Sequence, residues 1–389
     1  MAAERGDAYG STTVTDPMDE LADLTERLVS IPSHEDETAA GDAIEEWLRA
    51  ETDATVERDD AGNVLASVGA TDDPDADSLA LVGHHDVVPP APEQTTGEGT
   101  EGEYVVERRD GRIYGRGTAD MKGSVAAAML AFRDATPPAG RELAFASFVG
   151  EEVGGEGARH ALDAGFAPDR AVVAEGSTDY SKPGVTDVVV AHRGRRGSRL
   201  VAHGEAAHAS EPEAGENAIY RACDAIDGVR GLDAPEATVL GNDVSGSLAV
   251  TIVDGGETWN VIPERCEATV DERTVPGGRA DLAGVADATP GVELVVDQDL
   301  PPMACGDAAF ADAALDVARA VHGELELDTP EHVTKPHATD AGWLAEAGTD
   351  CLVCGASEPG EAHTDTESAG LEALDRCRRI YAGIAEREL

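Results

Sequence analysis

The stretch Leu79-Ala-Leu-Val-Gly-His84-His85-Asp86-Val-Val-Pro89-Pro90 predicts a buried strand that delivers polar side chains to one edge of a sheet. An uninterrupted apolar run ends in two imidazoles and a carboxylate, and two prolines then stop the strand. Because side chains alternate along a strand, His84 and Asp86 should share one face and His85 the other. Ligands of open α/β sheets bind at the carboxyl ends of the strands. The pattern therefore predicts that His84 is a metal ligand oriented by Asp86, although a surface histidine pair fits this stretch equally well.

Four further acidic residues occupy comparable positions. Glu151 and Glu152 follow the apolar run 143–149, Glu175 follows the run 171–174, and Asp120 lies in the Gly-rich turn 115–123 before a helical pattern. A Glu-Glu pair carries little information in so acidic a chain. A carboxylate at the end of a buried strand is informative, because burial of an unpaired charge is costly and calls for a metal or a cation.

The residue types collected in this way predict a two-metal centre. The predicted ligands are His84, Asp120, Glu152, Glu175 and His363. Two imidazoles and three carboxylates suit zinc, with cobalt or manganese as alternatives. Five ligands exceed the needs of one tetrahedral zinc ion but fit two ions that share one carboxylate. Two metal ions polarise a carbonyl and lower the pKa of a shared water, so Glu151, directed away from the metals, is the predicted general base.

The composition indicates a large globular protein with an extreme negative charge. The 389 residues include 41% apolar residues, which is enough for about two domains. Seventy-eight acidic residues face 29 basic ones, for a net charge of −49, and they are spread along the whole chain. Such a charge repels itself and needs screening, so we expect a protein that works in the concentrated salt of an extreme halophile. Nucleic acids and anionic membranes are excluded as expected partners.

The N-terminal residues and the cysteines predict a cytoplasmic location. Residues 1–15 contain no apolar segment of the kind found in signal peptides, and no run of about 18 apolar residues occurs anywhere in the chain. The six cysteines are scattered, as expected for reduced and mostly buried thiols. Cys351 and Cys354 have the spacing of a zinc knuckle or redox pair, but they lie in an apolar run without a second pair, which favours core packing.

The pattern of elements predicts an α/β domain interrupted by a smaller one. Residues 1–190 and 300–389 combine buried strand patterns with amphipathic helices and should form a mixed, largely parallel sheet flanked by helices. Residues 191–299 instead combine strand patterns with one helix that places Ile219, Ala222, Ile226 and Val229 on a single face, as in an α+β domain. At the N-terminus, Asp16-Pro17 should cap the first helix and Ser33-His-Glu-Asp36 resembles a capping box for the second.

Five motifs together resemble a known enzyme family. They are GHHDVVP, GRGTADMKG, GEE, AEGS and AHTDTE, in this order along the chain. The chain resembles the dinuclear zinc metallopeptidases, which include succinyl-diaminopimelate desuccinylase, acetylornithine deacetylase, aminoacylases and glutamate carboxypeptidases. The resemblance covers almost the whole chain after residue 18. It implies a zinc-exopeptidase-like catalytic domain with an inserted α+β lid and dimerisation domain.

The resemblance also implies a role for each candidate ligand. One of two Zn²⁺ ions would be held by His84 and Glu175, the other by Glu152 and His363, and Asp120 would bridge them. Glu151 would be the general base, Asp86 would stand behind His84, and the peptide bond between Asp120 and Met121 would be cis.

Three residues of the predicted lid domain resemble substrate contacts of the family. His208, in Gly204-Glu-Ala-Ala-His208, would reach the active site of a partner subunit and stabilise an oxyanion, which implies a homodimer through the lid. Asn260 and Arg273 would grip a substrate carboxylate. The alternative for His208 is an exposed histidine at a strand end, and the alternative for Arg273 is a structural ion pair.

The implied activity is metal-dependent hydrolysis of the amide bond in a small N-acyl amino acid or dipeptide. Succinyl-diaminopimelate desuccinylase is the first choice, because its substrate is polyanionic and His192-Arg-Gly-Arg195-Arg196 supplies scarce positive charge at the start of the lid. Acetylornithine deacetylase and a dipeptidase or carboxypeptidase are the alternatives within the family. A non-catalytic metal-binding scaffold is the alternative of another class, and the intact Glu151 disfavours it.

Overall fold

The computed structural model describes residues 16–69, 77–96 and 103–388. Its α-helices are α1 Pro17–Val29, α2 Thr38–Glu51, α3 Gly123–Asp134, α4 Glu156–Asp163, α5 Ala218–Arg230, α6 Leu282–Ala288, α7 Ala308–Glu324, α8 Ala341–Glu346 and α9 Leu371–Ala385. Asp16 caps α1 by accepting a hydrogen bond from the Met18 N–H (2.9 Å), as predicted.

The strands form one large sheet and several smaller ones. In chain order they are β1 Thr55–Arg58, β2 Val64–Gly69, β3 Asp77–His84, β4 Thr95–Thr96, β5 Glu103–Tyr104, β6 Glu107–Arg109, β7 Arg112–Tyr114, β8 Arg141–Phe148, β9 Arg170–Val173, β10 Val188–His192, β11 Arg195–His203, β12 Ala207–His208, β13 Glu236–Val239, β14 Asn242–Ser245, β15 Ser247–Gly255, β16 Val261–Ile262, β17 Arg265–Arg273, β18 Val292–Leu300, β19 Met303–Ala304, β20 His332–Lys335, β21 Asp350–Val353 and β22 Ser368–Gly370.

The large sheet is mixed and has a parallel centre. Its strand order is β1-β2-β8-β3-β9-β21-β10-β19, with β20 beside β10. Strand β3 runs parallel to both β8 and β9, and β9 runs parallel to β21. Parallel strands need helical crossovers that cover both faces of the sheet, so the central strands must be apolar on both sides. The predicted α/β class is confirmed.

Strand β3 illustrates how the two faces are packed. Leu79 and Leu81 point into a core shared with α1, α2, α3, α7 and α9, whereas Ala80 and Val82 point into a second core that includes residues of α4 and α8. This alternation places helices on both faces of one sheet. The large number of apolar side chains buried on both sides makes the sheet a rigid platform for residues at its edges.

A second, antiparallel sheet has the strand order β15-β17-β11-β18. Helices α5 and α6 cover one of its faces, where Leu200, Val229 and Leu282 meet in a separate core. All four strands lie between Arg195 and Leu300. Only Leu300 falls outside residues 191–299, the segment predicted to form an inserted domain. Strand β15 forms one edge of this sheet, and its residues Ile252 and Val253 are exposed.

The capping box predicted for the second helix is wrong. Helix α2 begins at Thr38, and the side chain of Ser33 does not cap it. Ser33 is buried and its hydroxyl donates to the backbone oxygen of His85 (2.7 Å), because the segment before α2 is pinned to the end of β3. Asp36 accepts from the Thr38 N–H instead (2.9 Å).

The cysteines are free, and five of the six are buried. Cys351 packs in the core beside α4 and α8, whereas Cys354 packs in the core on the opposite face of the sheet. The two thiols therefore point away from each other, and the prediction of core packing is confirmed. Within residues 16–69, 77–96 and 103–388, no helix has the length and apolar character needed to cross a membrane.

Candidate metal centre

The register of three parallel strands gathers polar residues at one edge of the large sheet. His84 at the end of β3 is paired with Phe148 at the end of β8, and Val82 is paired with Val173 at the end of β9. The acidic residues that follow β8 and β9 therefore emerge beside His84. Asp120 comes from the turn Thr118–Lys122 before α3, and His363 comes from the loop between β21 and β22.

The five predicted ligands form two groups that share one residue. His84 Nε2 lies 3.1 Å from Asp120 Oδ1 and 3.4 Å from Glu175 Oε1. His363 Nε2 lies 3.0 Å from Asp120 Oδ2 and 2.9 Å from Glu152 Oε1. Within each group the ligand atoms all lie within 4.8 Å of one another. Each oxygen of Asp120 thus faces a different imidazole. The peptide bond between Asp120 and Met121 is cis.

Asp86 connects the end of β3 with the end of β8. Its carboxylate lies 3.2 Å from His84 Nδ1 and accepts hydrogen bonds from the N–H groups of Glu151 (3.1 Å) and Glu152 (3.0 Å). The side chain is almost fully buried. Asp86 therefore fixes the orientation of the His84 ring and the backbone of two acidic residues at once.

His85 points away from this site, as the alternation of the strand requires. Its Nδ1 is 2.9 Å from the hydroxyl of Ser147 on β8. Burial lowers the pKa of His85 to about 3, so the ring is neutral. His85 belongs to the packing of the sheet.

The charges at the site are strongly unbalanced towards carboxylates. Burial raises the pKa of Glu151 well above its usual range, and the charges of Asp340 and Glu175 add to this effect. Burial alone would lower the pKa of His84, but Asp86 and its other carboxylate neighbours raise it instead. Hydrogen bonds with Asp120 and Glu152 raise the pKa of His363 to about 10. The local potential is therefore one that attracts cations.

The donor set fits a pair of divalent transition-metal ions. It consists of two imidazole nitrogens and three carboxylates, with one carboxylate placed between the two groups. Zinc takes such nitrogen and oxygen ligands, and cobalt and manganese accept the same mixture. The nearby cation Lys335 balances only part of the negative charge. Its ammonium group donates to Glu175 Oε2 (3.3 Å) and to the backbone oxygen of Gly176 (2.8 Å).

A cavity of about 290 Å³ opens beside the ligand groups. Glu151 lines it without belonging to either group of ligands. Tyr180, His337 and Ser357 form other parts of the wall. Among the described residues, Lys335 is the only lysine or arginine in this lining. A small molecule in the cavity would therefore meet both ligand groups, the carboxylates of Glu151 and Glu358 outside them, and one cation.

The predicted lid residues do not line this cavity in the part of the chain that the structure describes. His208 is exposed, with its Nδ1 2.7 Å from the hydroxyl of Ser210, and Asn260 is also exposed. Arg273 Nε donates to Asp271 Oδ1 (2.8 Å). The same Arg273 nevertheless contributes, after burial and Lys335, to lowering the pKa of His337 on the cavity wall.

Two of the three arginines at the start of the predicted lid are engaged with acidic residues. Arg195 Nε lies 3.0 Å from Asp271 Oδ2, and Arg196 Nε lies 3.6 Å from Asp299 Oδ2. Positive charge for a substrate is therefore supplied less by these side chains than the sequence suggests. The sequence reasoning missed Lys335, although it is one of only three lysines in the chain.

A family model agrees with the geometry of the site. The model of peptidase family M20/M25/M40 matches residues 80–387, which include every one of the candidate ligands. The chain belongs to peptidase family M20/M25/M40. Members of this family are metal-dependent hydrolases, so this M20 chain is an enzyme.

Curated relatives of the M20 chain include deacylases and peptidases. Acetylornithine deacetylase from Myxococcus xanthus is 29% identical over 341 residues, which cover 83% of this chain and 84% of the relative. A probable carboxypeptidase from Aspergillus oryzae is 28% identical over 390 residues, which cover 93% of this chain and 88% of the relative.

Solved structures of two peptidases share the fold over almost the whole chain. Aminopeptidase PepT from Bacillus cereus superposes with a TM-score of 0.72 at 19% identity, and 94% of this chain and 97% of that chain are covered. Bacillus subtilis YXEP, described as a dinuclear metal-binding peptidase, has a TM-score of 0.67 at 18% identity, with 95% and 97% covered. These likenesses confirm the predicted fold class, a zinc-exopeptidase-like α/β fold with a mixed, largely parallel sheet flanked by helices.

Proposed function

We propose that this M20 enzyme is a dinuclear metal-dependent amidohydrolase that cleaves N-acyl amino acids. The observation that carries the proposal is the pair of ligand groups sharing Asp120, with Glu151 outside both groups on the wall of the same cavity. Two divalent ions, zinc first and cobalt or manganese as alternatives, would be held by His84 and Glu175 on one side and by Glu152 and His363 on the other. Asp120 would be shared.

The reaction needs a nucleophilic water, a polarised carbonyl and a proton carrier. Two bound metal ions supply the Lewis acidity that polarises the carbonyl and lowers the pKa of the water. Glu151 takes the proton of the attacking water and delivers it to the leaving nitrogen. Burial and neighbouring carboxylates raise the pKa of Glu151, whereas the positive charge of bound metal ions would lower it, so the carboxylate can both accept and release the proton. Asp86 keeps His84 and the Glu151 backbone in place.

Two kinds of relative support different substrates. The deacetylase relative supports an N-acyl amino acid, whereas the carboxypeptidase relative supports a dipeptide or a peptide end. Within the first class we place succinyl-diaminopimelate desuccinylase first and acetylornithine deacetylase second. Lys335 on the cavity wall supports an anionic substrate, while the ion pairs of Arg195 and Arg196 weaken the support drawn from those arginines.

A substrate panel tests this activity. We expect turnover of an N-succinyl or N-acetyl amino acid in high salt, loss of that turnover after chelation, and its return when zinc, cobalt or manganese is added back. The measurement is amine release from N-succinyl, N-acetyl and dipeptide substrates of the same amino acid. Metal-independent turnover would contradict the proposed centre. Absence of turnover with every acyl amino acid and dipeptide would favour the metal-binding scaffold.

We also propose that residues 191–299 form a lid that joins two copies of the chain. Strand β15 is an edge strand with exposed Ile252 and Val253, and such an edge readily pairs with a second copy related by two-fold symmetry. In the dimer, His208 of one subunit would serve the cavity of the other, and Asn260 and Arg273 would contact the substrate carboxylate. The exposure of His208 supports a role towards another chain.

Replacement of His208 tests this arrangement. His208→Ala should lower kcat by roughly 10²–10³-fold, the usual effect of removing one oxyanion donor, without changing the dimer mass by light scattering. The matched control is His203→Ala, because His203 is also exposed and pairs with Glu293 on the neighbouring strand β18. This variant should keep full activity. Mixed dimers of His208→Ala and Glu151→Gln should regain part of the activity. A monomeric parent enzyme, or no regain, would contradict action across the dimer.

The negative charge supports a working environment of concentrated salt, as in the cytoplasm of an extreme halophile. With a net charge of −49, transfer from dilute buffer to molar KCl should raise Tm by roughly 5–10 °C, because salt screens the repulsion between carboxylates. Differential scanning calorimetry with and without metal measures this rise. An equal osmolality of sucrose is the control, since it does not screen charge. Equal or higher stability in dilute buffer would contradict salt adaptation.

A further inference from the structure

Two charged residues of the recognised motifs have no part in the ligand set. Arg116 belongs to GRGTADMKG and Glu367 belongs to AHTDTE. Arg116 is 3% exposed and Glu367 is 1% exposed, and the two side chains form an ion pair. Burial of two charges is costly unless the geometry is good and the remaining polar atoms are bonded. The other contacts of Glu367 therefore indicate what the pair holds in place.

Glu367 holds the turn that carries Asp120. Its Oε1 accepts hydrogen bonds from the N–H groups of Ala119 (3.0 Å) and Asp120 (3.2 Å). The backbone oxygen of Glu367 accepts from the Gly115 N–H (3.1 Å), at the beginning of the same turn. Asp120 and Met121 have non-helical backbone angles, so the Asp120 N–H depends on this carboxylate for a partner.

Glu367 also ends the loop that carries His363. Only three residues separate the two, and His363 has a positive φ of 66° and a half-exposed side chain. Directly after Glu367, Ser368 pairs with Tyr114 in the β22–β7 ladder. Glu367 is therefore the point at which the His363 loop is fixed to the Asp120 turn.

The two ligand groups depend on this point to different extents. His84 ends one strand of the large sheet and Glu175 follows the neighbouring strand, and Asp86 and Lys335 hold their side chains. His363 comes from a loop and relies on the attachment at Glu367. A change at Glu367 should consequently disturb the group of Asp120, Glu152 and His363 more than the group of His84, Asp120 and Glu175.

We propose that Glu367, neutralised by Arg116, is a positioning residue that sets the placement of His363 relative to Asp120. It thereby controls the affinity of the Asp120–Glu152–His363 group for its metal ion. This inference rests on the proposed dinuclear function. It explains why the motifs AHTDTE and GRGTADMKG contain Glu367 and Arg116. These two side chains contact neither the donor atoms of the ligands nor the cavity beside the ligand groups.

The test is a Zn²⁺ titration of the metal-free full-length protein against a competing chelator. Glu367→Gln removes the charge and replaces one carboxylate oxygen by an NH2 group. This new donor faces either Arg116 or the N–H groups of the turn, which are donors themselves and cannot accept a hydrogen bond from it. One of the two binding steps should lose roughly 10–100-fold in affinity, as is typical when a residue behind a ligand is changed, and the other step should stay within about threefold. A Co²⁺ titration followed by absorption spectroscopy should lose the signal of one ion.

The control variant changes an ion pair at the opposite edge of the sheet. Asp77 pairs with the buried Arg141 where β3 and β8 begin. Asp77→Asn should lower the Tm of the metal-free protein but leave both binding steps unchanged, which separates a general loss of stability from a loss of positioning. If Glu367→Gln does not fold, Glu367→Asp keeps the charge and shortens the side chain, and it should weaken the same step to a smaller extent.

The possible outcomes are distinct. Selective weakening of one step supports the positioning role. Equal weakening of both steps, or no weakening, overturns it. A failure of the dinuclear centre itself would appear in the parent protein, as binding of fewer than two ions, before any variant is compared.

Discussion

Replacement of Glu151 by alanine is expected to lower kcat by roughly 10²–10⁴-fold, the contribution usually made by a general base, while the metal content stays near two ions per chain. Glu151 lines the cavity but belongs to neither group of ligands. Its backbone N–H, which donates to Asp86, is kept in the variant, so the neighbouring ligand Glu152 should remain in place. Steady-state kinetics and elemental analysis of the same preparation measure both effects.

A nearby glutamate provides the control for this change. Glu156 begins helix α4 and its side chain is exposed, so Glu156→Ala should keep both the activity and the metal. A variant of Glu151 that loses metal would place this residue among the ligands. A variant that keeps activity within tenfold of the parent would remove the residue from proton transfer. KM should change little in either position, because neither side chain is assigned to substrate binding.

The centre of the large sheet could be predicted because its strands have an unambiguous pattern. The run that ends at His84 is apolar on both faces, and only a strand covered by helices on both sides requires such a run. The residues at the ends of β3, β8 and β9 could then be grouped, since parallel strands end at one edge. The placement of Asp120 beside them was indicated by its Gly-rich turn before a helix and by the family resemblance, whereas that of His363 rested on residue type and the resemblance alone.

The outer strands could not be assigned in the same way. Strand β10 is short and pairs with β20 and β21, which lie more than 130 residues further along the chain. Strand β20 has no apolar alternation, and its end residue Lys335 meets Glu175 only because of that pairing. Such contacts are set by tertiary packing, to which a local sequence pattern is blind.

The charged residues show the same limit. Arg195 looked available to a substrate, but cross-strand neighbours bring it to Asp271. The partners of Glu367, in turn, lie about 250 residues away in sequence, so its role as an acceptor for the Asp120 N–H has no local signal. In a chain with 78 acidic residues, residue type cannot distinguish a functional carboxylate from a solvated one unless a buried element precedes it.

Replacement of Asp120 by asparagine should remove at least one metal ion and abolish turnover. The carboxylate is the only group shared by both sets of ligands among the described residues, and each of its oxygens faces a different imidazole. An amide retains one oxygen, so it can serve one ion at most. The loss of several kcal/mol of transition-state stabilisation corresponds to a fall in kcat of about 10³-fold or more.

The Asp120→Asn variant differs from the Glu151 variant in its metal content, which separates a ligand from a base. Elemental analysis should give at most one ion per chain, and the rise in Tm that metal causes in the parent should shrink accordingly, since a ligand stabilises only through binding to the folded state. Asp110→Asn, in the tight turn between β6 and β7, is the control, because asparagine tolerates the positive φ found there. Two tightly bound ions in Asp120→Asn would show that Asp120 is not shared. The two metal positions would then be independent, and the assignment of a single hydrolytic centre to this cavity would have to be abandoned.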